Sequence, residues 1–318
     1  MVIELFDPGR FMDEQIKKLG DFEGKAVVGC SGGVDSTVAT ALVSQALGDR
    51  LLAIYVDTGY MRKGETESMD AFFTEMNINH VIVDAREEFY QAMEGVVEPE
   101  EKRKVIGGKF IEVFEREAVK FGADHLVQGT IAPDWIESGG GARETIKSHH
   151  NVGGLPEIMK LELMEPLRDL YKDEVRILAR ELGVPSAERQ PFPGPGLAVR
   201  IIGEATREKA EIVREACAIT EEEIDRAVER GEMEKPWQYF AVLLPVKTVG
   251  VQGDKRAYGH TVAVRAVSSL DAMSARFLEI PHEVLERIST RITNLMKDRV
   301  NRVVYDITNK PPGTIEWE

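Results

Sequence analysis

Over the first two-thirds of the chain, short apolar runs alternate with stretches whose apolar residues return at helical spacing. That is the pattern of strand and helix units in a parallel sheet. Residues 26–30 (Ala-Val-Val-Gly-Cys), 51–56 (Leu-Leu-Ala-Ile-Tyr-Val), 80–84 (His-Val-Ile-Val-Asp) and 125–128 (His-Leu-Val-Gln) read as buried strands, each ending in a polar or glycine-rich turn. Around them, residues 11–19, 36–47, 65–76, 100–121 and 172–182 read as helices, the last closed by Gly183 and Pro185. The predicted fold class is α/β, a doubly wound parallel sheet, which takes ligands beyond the C-terminal ends of its strands.

From 136 to 156 the periodicity vanishes into a loop with five glycines, and long loops of this kind serve as lids or tethers. Pro191-Phe192-Pro193-Gly194-Pro195-Gly196 can continue neither a helix nor a central strand. The expected domains are therefore 1–191, binding nucleotide, and 192–318, a smaller α+β domain. In the latter, 206–230 reads as a charged helix or helix pair, 239–251, 260–267 and 302–307 as strands, and 281–297 as a helix.

The chain has 318 residues, enough for two domains, and its 40 basic against 55 acidic residues give a net charge of −15. A field of that sign repels a phosphate backbone, so no nucleic-acid partner is expected. Cys30 and Cys217 form no Cys-x-x-Cys or Cys/His cluster, which excludes a disulfide framework and a zinc knuckle and suits a reducing cytoplasm. No stretch approaches the ~18 apolar residues of a membrane span, and the acids and proline at the N-terminus do not resemble a secretory signal.

Ser31-Gly32-Gly33-Val34-Asp35-Ser36 follows the first strand and opens a helix. Backbone amides there point at whatever sits over the helix N-terminus, an anion site by geometry, to which Ser31 and Ser36 add hydroxyl donors. Asp35 would repel phosphates unless a divalent cation lay between them, which points to magnesium. No lysine stands in the Walker A position. Gly29-Cys30-Ser31-Gly32-Gly33 also satisfies Gly-x-Ser-x-Gly, the nucleophile elbow of α/β-hydrolases, for which His260 or His282 would have to serve as base. A purely structural glycine turn is the third reading.

Ser-Gly-Gly-Val-Asp-Ser resembles the pyrophosphate loop of the ATP pyrophosphatase superfamily, whose members cleave ATP between the α- and β-phosphates and adenylate an oxygen of a second substrate. Gln128-Gly129-Thr130-Ile131-Ala132-Pro133-Asp134, Ile146-Lys147-Ser148-His149-His150-Asn151, Pro191 to Leu197, Thr248 to Asp254, and Lys310-Pro311-Pro312-Gly313-Thr314-Ile315-Glu316-Trp317-Glu318 further resemble the synthetase part of the GMP synthetase family. The likeness runs from about Phe11 to the last residue.

The resemblance implies that ATP adenylates the 2-oxygen of xanthosine 5′-monophosphate (XMP), and that ammonia then displaces AMP to give GMP. It implies the phosphate loop for ATP, with Gly129 and Thr130 bordering the adenosine and the Val56 backbone meeting the adenine edge. Asp35 and Asp134 are the expected magnesium ligands, although a Pro-Asp turn is also an ordinary solvated feature. Lys147, with His149 and His150, sits in the glycine-rich loop, where closure could bring the ammonium onto the α-phosphate or the XMP oxygen; loop residues of these types are also common on plain surfaces. Arg189 could grip the XMP phosphate bidentately or merely end a helix, and Gln252 suits a purine or phosphate. Lys310, Thr314, Ile315 and Glu316 are implied to hold XMP, on a tail whose Ile315 and Trp317 suggest apolar docking.

The family resemblance further implies dimerisation through the C-terminal domain. Neither cysteine reads as a glutaminase nucleophile, so a separate glutamine amidotransferase subunit is the expected ammonia source. The alternatives are an NAD, asparagine or tRNA-modifying synthetase of the same superfamily, a catalytically silent nucleotide-binding regulator, and a simple hydrolase.

Overall fold

The computed structural model describes residues 6–132, 161–184, 189–252, 255–270 and 272–318. Two compact units are present, one drawn from residues 1–58, 64–85 and 107–189, the other from 59–63, 86–106 and 190–318. In chain order the described helices are α1 (Pro8–Gly20), α2 (Val34–Leu47), α3 (Glu65–Glu75), α4 (Arg86–Ala92), α5 (Pro99–Phe121), α6 (Lys172–Glu181), α7 (Arg207–Glu229) and α8 (His282–Leu295).

In the first unit β1 (Ala26–Gly29), β2 (Leu51–Asp57), β3 (His80–Asp84), β4 (His125–Val127) and β5 (Glu162–Met164) form a parallel sheet in the order β3-β2-β1-β4-β5. The α/β parallel-sheet expectation therefore holds. Ala26, Val27 and Val28 are fully buried, as befits a strand covered on both faces. Strand β5 escapes a reading of the sequence because it is only three residues long and opens on a glutamate; its place comes from pairing Val127 with Met164. Helix α1 begins at Pro8 rather than 11, since Asp7 accepts the Arg10 amide at 3.0 Å and Pro8 takes the first helical position. Helix α2 is buried without interruption from Thr37 to Val43, so it lies between the sheet and helices α1 and α6 rather than at the surface. The strand order reverses between β1 and β4, and such a reversal opens the ligand crevice of a doubly wound sheet.

In the second unit β6 (Gln238–Gln252) and β7 (Lys255–Ser268) form a long antiparallel hairpin, and β7 also pairs with β8 (Arg276–Phe277) and, in parallel, with β9 (Val300–Tyr305). The strands exceed the predicted 239–251 and 260–267 because Lys255–Gly259, weakly apolar alone, is recruited by Thr248–Gln252 opposite. The ladder slips between Leu244 and Lys247, where Pro245 has no amide to offer. Residues 207–229 make one continuous helix, capped by Thr206, which accepts the Lys209 amide at 3.4 Å. Helices α7 and α8 are tied at Glu223, which receives Arg226 at 3.2 Å, Arg287 at 3.0 Å and Arg291 at 2.6 Å. Helix α4 and the 3₁₀ turn Gly196–Arg200 have no counterpart among the predicted elements; both are too short to show a period.

Candidate active site

The Ser31–Ser36 loop leaves β1 at the point of strand-order reversal. Its turn depends on Gly32, whose φ of 78° suits glycine and whose place for a Cβ lies 2.5 Å from Glu65 Oε1. Gly33 is the N-cap of α2 and brings no side chain to the first turn, which leaves the amide end facing the crevice for an anion. Ser36 Oγ donates to Gly33 O at 3.2 Å and lies 3.3 Å from Ser31 Oγ, so both hydroxyls sit at the same mouth. Asp35 follows Val34 in the first turn.

From β4, Gly129 presses onto that turn. A Cβ there would come within 2.8 Å of the Asp35 carbonyl carbon and 2.9 Å of the Ser36 amide nitrogen. Gly129 thus borders the loop, and Thr130 comes next after it, past the strand that pairs with β1. Val56 lies two residues past the last β1 pairing, Gly29 with Ile54, so the β2 main chain runs on beyond the place where β1 turns into the loop. The expected adenosine residues and the phosphate loop are brought together at one sheet edge.

Arg189 belongs to the same unit, with Nη1 donating to Glu65 Oε1 at 2.6 Å and Nη2 to Ser68 Oγ at 3.3 Å. Glu65 carries no sequence signal for this neighbourhood: it is buried in the first turn of α3, directly under Gly32. Cys30 is buried, and burial pushes its thiol above the ordinary range, against a smaller opposing effect of the Thr37 hydroxyl 3.5 Å away. That environment suits a small packing residue rather than a nucleophile. Of the histidines weighed as a hydrolase base, His260 pairs within the β7 ladder and His282 opens α8, both in the second unit.

Asp134, Lys147, His149 and His150 lie outside the described residues, as do Gly253, Asp254 and the side chain of Gln252, whose main chain ends β6. Among the described residues no three His, Cys, Asp or Glu side chains gather as a metal site. The donor chemistry at Asp35 nevertheless fits magnesium, an ion that takes one or two protein carboxylates and fills its remaining positions with substrate phosphates and water.

In the second unit the tail is gripped by buried cations rather than docked by apolar packing alone. Lys310 exchanges main-chain bonds with Ala275, and its ammonium donates to Ala272 O at 2.8 Å. Arg265 donates to the carbonyls of Thr314 at 2.7 Å, Ile315 at 2.8 Å and Thr308 at 3.0 Å, and to Asp306 at 2.7 Å. Arg200 holds the Glu316 carboxylate with two donors at 3.1 and 2.8 Å, and Gln238 adds a third bond at 2.7 Å. Burial would lower the Arg200 pKa, but the Glu316 carboxylate, helped by Cys217 and Glu221, more than offsets it and raises the guanidinium above the ordinary arginine value. Lys102 donates to the Glu318 carboxylate and to the carbonyls of Ala198 at 3.2 Å and Ile201 at 2.6 Å. Ile315 is buried, whereas Trp317 is partly exposed with its indole N–H on Asp306 at 3.0 Å. A signal for two of these cations was present, since Arg200 and Arg265 each interrupt an apolar run.

Residues 225–317 match the family described as GMP synthase C terminal domain, and residues 7–120 that described as NAD synthase. A subunit of the glutamine-hydrolyzing GMP synthase of Pyrococcus horikoshii is 58% identical over 317 residues, across 98% of this chain and 100% of that one. The chain belongs to the GMP synthase family. The glutamine-hydrolyzing GMP synthase of Geobacillus kaustophilus is 55% identical over 314 residues, which span 97% of this chain and 61% of that one. Among solved structures, an NMN synthetase from Francisella tularensis is similar with a TM-score of 0.46 and 15% identity, across 93% of this chain and 97% of that one. Membership in the GMP synthase family makes the chain an ATP-dependent ligase. Its Pyrococcus relative is one subunit of an enzyme, which implies a partner subunit. No helix among the described residues is long and apolar enough to cross a membrane.

Proposed function

We propose that this chain makes GMP from XMP. The XMP 2-oxygen attacks the α-phosphorus of ATP, the bond from that phosphorus to the oxygen bridging the β-phosphate breaks, and pyrophosphate leaves. Ammonia then attacks C2, the C2–O bond breaks, and AMP departs with the oxygen while the surplus proton passes to solvent. The observation that carries this reading is the 58% identity to the Pyrococcus GMP synthase subunit along that protein's full length. An anion cradle at the switch point of the sheet supports it independently.

In this reading the amides and hydroxyls of Ser31 to Ser36 hold the departing pyrophosphate, where oriented donors stabilise developing charge without reorganising. Val56, Gly129 and Thr130 hold the adenosine. Asp35 and Asp134 would hold magnesium, which supplies neutralising charge at the phosphates when bound. Lys147 and His149 serve the transferring centre, and Arg189, Gln252, Lys310, Thr314, Ile315 and Glu316 bind XMP. Residues 192–318 form the dimerisation and XMP-binding domain of a cytoplasmic homodimer. The Pyrococcus relative is one subunit of a glutamine-hydrolyzing enzyme, which supports a separate glutaminase subunit as the ammonia source.

The test mixes the purified chain with ATP, magnesium, XMP and an ammonium salt. GMP, AMP and pyrophosphate are expected in equal amounts, and glutamine replaces ammonium only after a glutaminase subunit is added. GMP from glutamine with the chain alone would overturn the partner assignment, and absence of XMP-dependent pyrophosphate release would overturn the acceptor.

A further inference from the structure

The grip on residues 314–318 is costly in a way that stability alone does not explain. Lys102, Arg200 and Arg265 are fully buried or nearly so, and the carboxylates of Glu316 and Glu318 are 19% and 7% exposed. Taking such ions out of water costs several kcal/mol each, and apolar residues of similar volume usually hold a fold as well or better. What ion pairs add is fixed geometry: a guanidinium fork sets both the distance and the plane of its carboxylate. The pairs are also interlocked. Lys102 donates to the carbonyls of Ala198 and Ile201, which flank Arg200, while it holds Glu318, and Arg200 holds Glu316 two residues earlier. Gly203 N adds a further bond to Glu318 at 3.2 Å.

We infer that Lys102 and Glu318 are positioning residues for the acceptor nucleotide: their pair fixes the tail and the Arg200 turn so that Thr314, Ile315 and Glu316 meet XMP in one register. The inference rests on the XMP reading proposed above. Neither residue touches substrate; each acts through Arg200 and the tail backbone.

The test replaces the whole pair by apolar groups, Lys102→Met with Glu318→Leu, and separately neutralises one partner with Glu318→Gln. Thermal unfolding checks the fold, and steady-state kinetics with ammonium measures KM for XMP and for ATP. The expected result is a rise in KM for XMP of roughly tenfold or more with KM for ATP unchanged, because a small misplacement of binding groups acts on the ligand they meet. Glu318→Asp, which keeps the charge, is expected to recover part of the loss. An unchanged KM for XMP in folded Glu318→Gln overturns the inference, as does an equal rise for both substrates. If the paired variant fails to fold, Glu318→Gln decides. Should the unaltered chain release no pyrophosphate in response to XMP, the acceptor assignment itself has failed, a result distinct from an unaltered chain that works and variants that match it.

Discussion

At Gly129 a single methyl group decides whether the first turn of α2 keeps its place. The nearest atoms are the main chain of Asp35 and Ser36 at 2.8–2.9 Å, which cannot rotate aside as the tip of a long side chain would. Gly129→Ala is expected to cost about 1–3 kcal/mol of stability and to raise KM for ATP roughly tenfold or more by displacing the amides proposed to meet the phosphates. Thermal unfolding and ATP titration check it; an ATP affinity equal to that of the unaltered chain would separate Gly129 from the phosphate loop. The same reasoning explains Glu65, whose carboxylate occupies the space left by the missing side chain at Gly32 while facing Arg189 at 2.6 Å.

Helices α7 and α8 depend on the carboxylate that joins them. Burial would raise the Glu223 carboxyl, but hydrogen bonds from Arg291 and Arg287 outweigh it and hold it below the ordinary carboxylate range. Because the folded-state value is the lower one, this stabilisation is fully present above the ordinary carboxylate pKa and is lost as pH falls through the folded value. Glu223→Gln is expected to lose roughly 2–3 kcal/mol at neutral pH, somewhat less than a fully buried pair, since Arg287 and Arg291 are 33% and 37% exposed. Melting curves from neutral to acid pH should then show a shallower decline for the variant, and parallel declines would contradict the role of Glu223. Strands β1 to β4 were legible as short apolar runs that end in polar or glycine-rich turns, and the amphipathic helices because their apolar residues return at helical spacing. The phosphate loop was legible because its glycines and hydroxyls stand together between a strand and a helix. The tail grip was not: Arg200 and Glu316 stand 116 residues apart and Lys102 and Glu318 stand 216 apart, and pairing at that separation leaves no local pattern. Strand β5 was hidden for a related reason, since its neighbour rather than its composition makes it a strand.

At the scale of the whole molecule, a net charge of −15 sets how the chain meets a partner. A glutaminase subunit that presents a basic patch should associate faster and more tightly at low ionic strength, with affinity falling as salt rises; titration of the two subunits from low to physiological salt measures it, and an affinity that does not change would contradict electrostatic docking. Each unit carries one half of the proposed chemistry, the phosphate loop in the parallel-sheet unit and the gripped tail in the other. Transfer of the XMP oxygen to AMP is the central step of the proposed reaction. XMP labelled with oxygen-18 at position 2, turned over with ATP, magnesium and ammonium, reports it by mass spectrometry of the products. One labelled oxygen in the phosphate of AMP for every GMP formed is the expected result, and label released to water, with unlabelled AMP, would contradict adenylation of XMP by this chain.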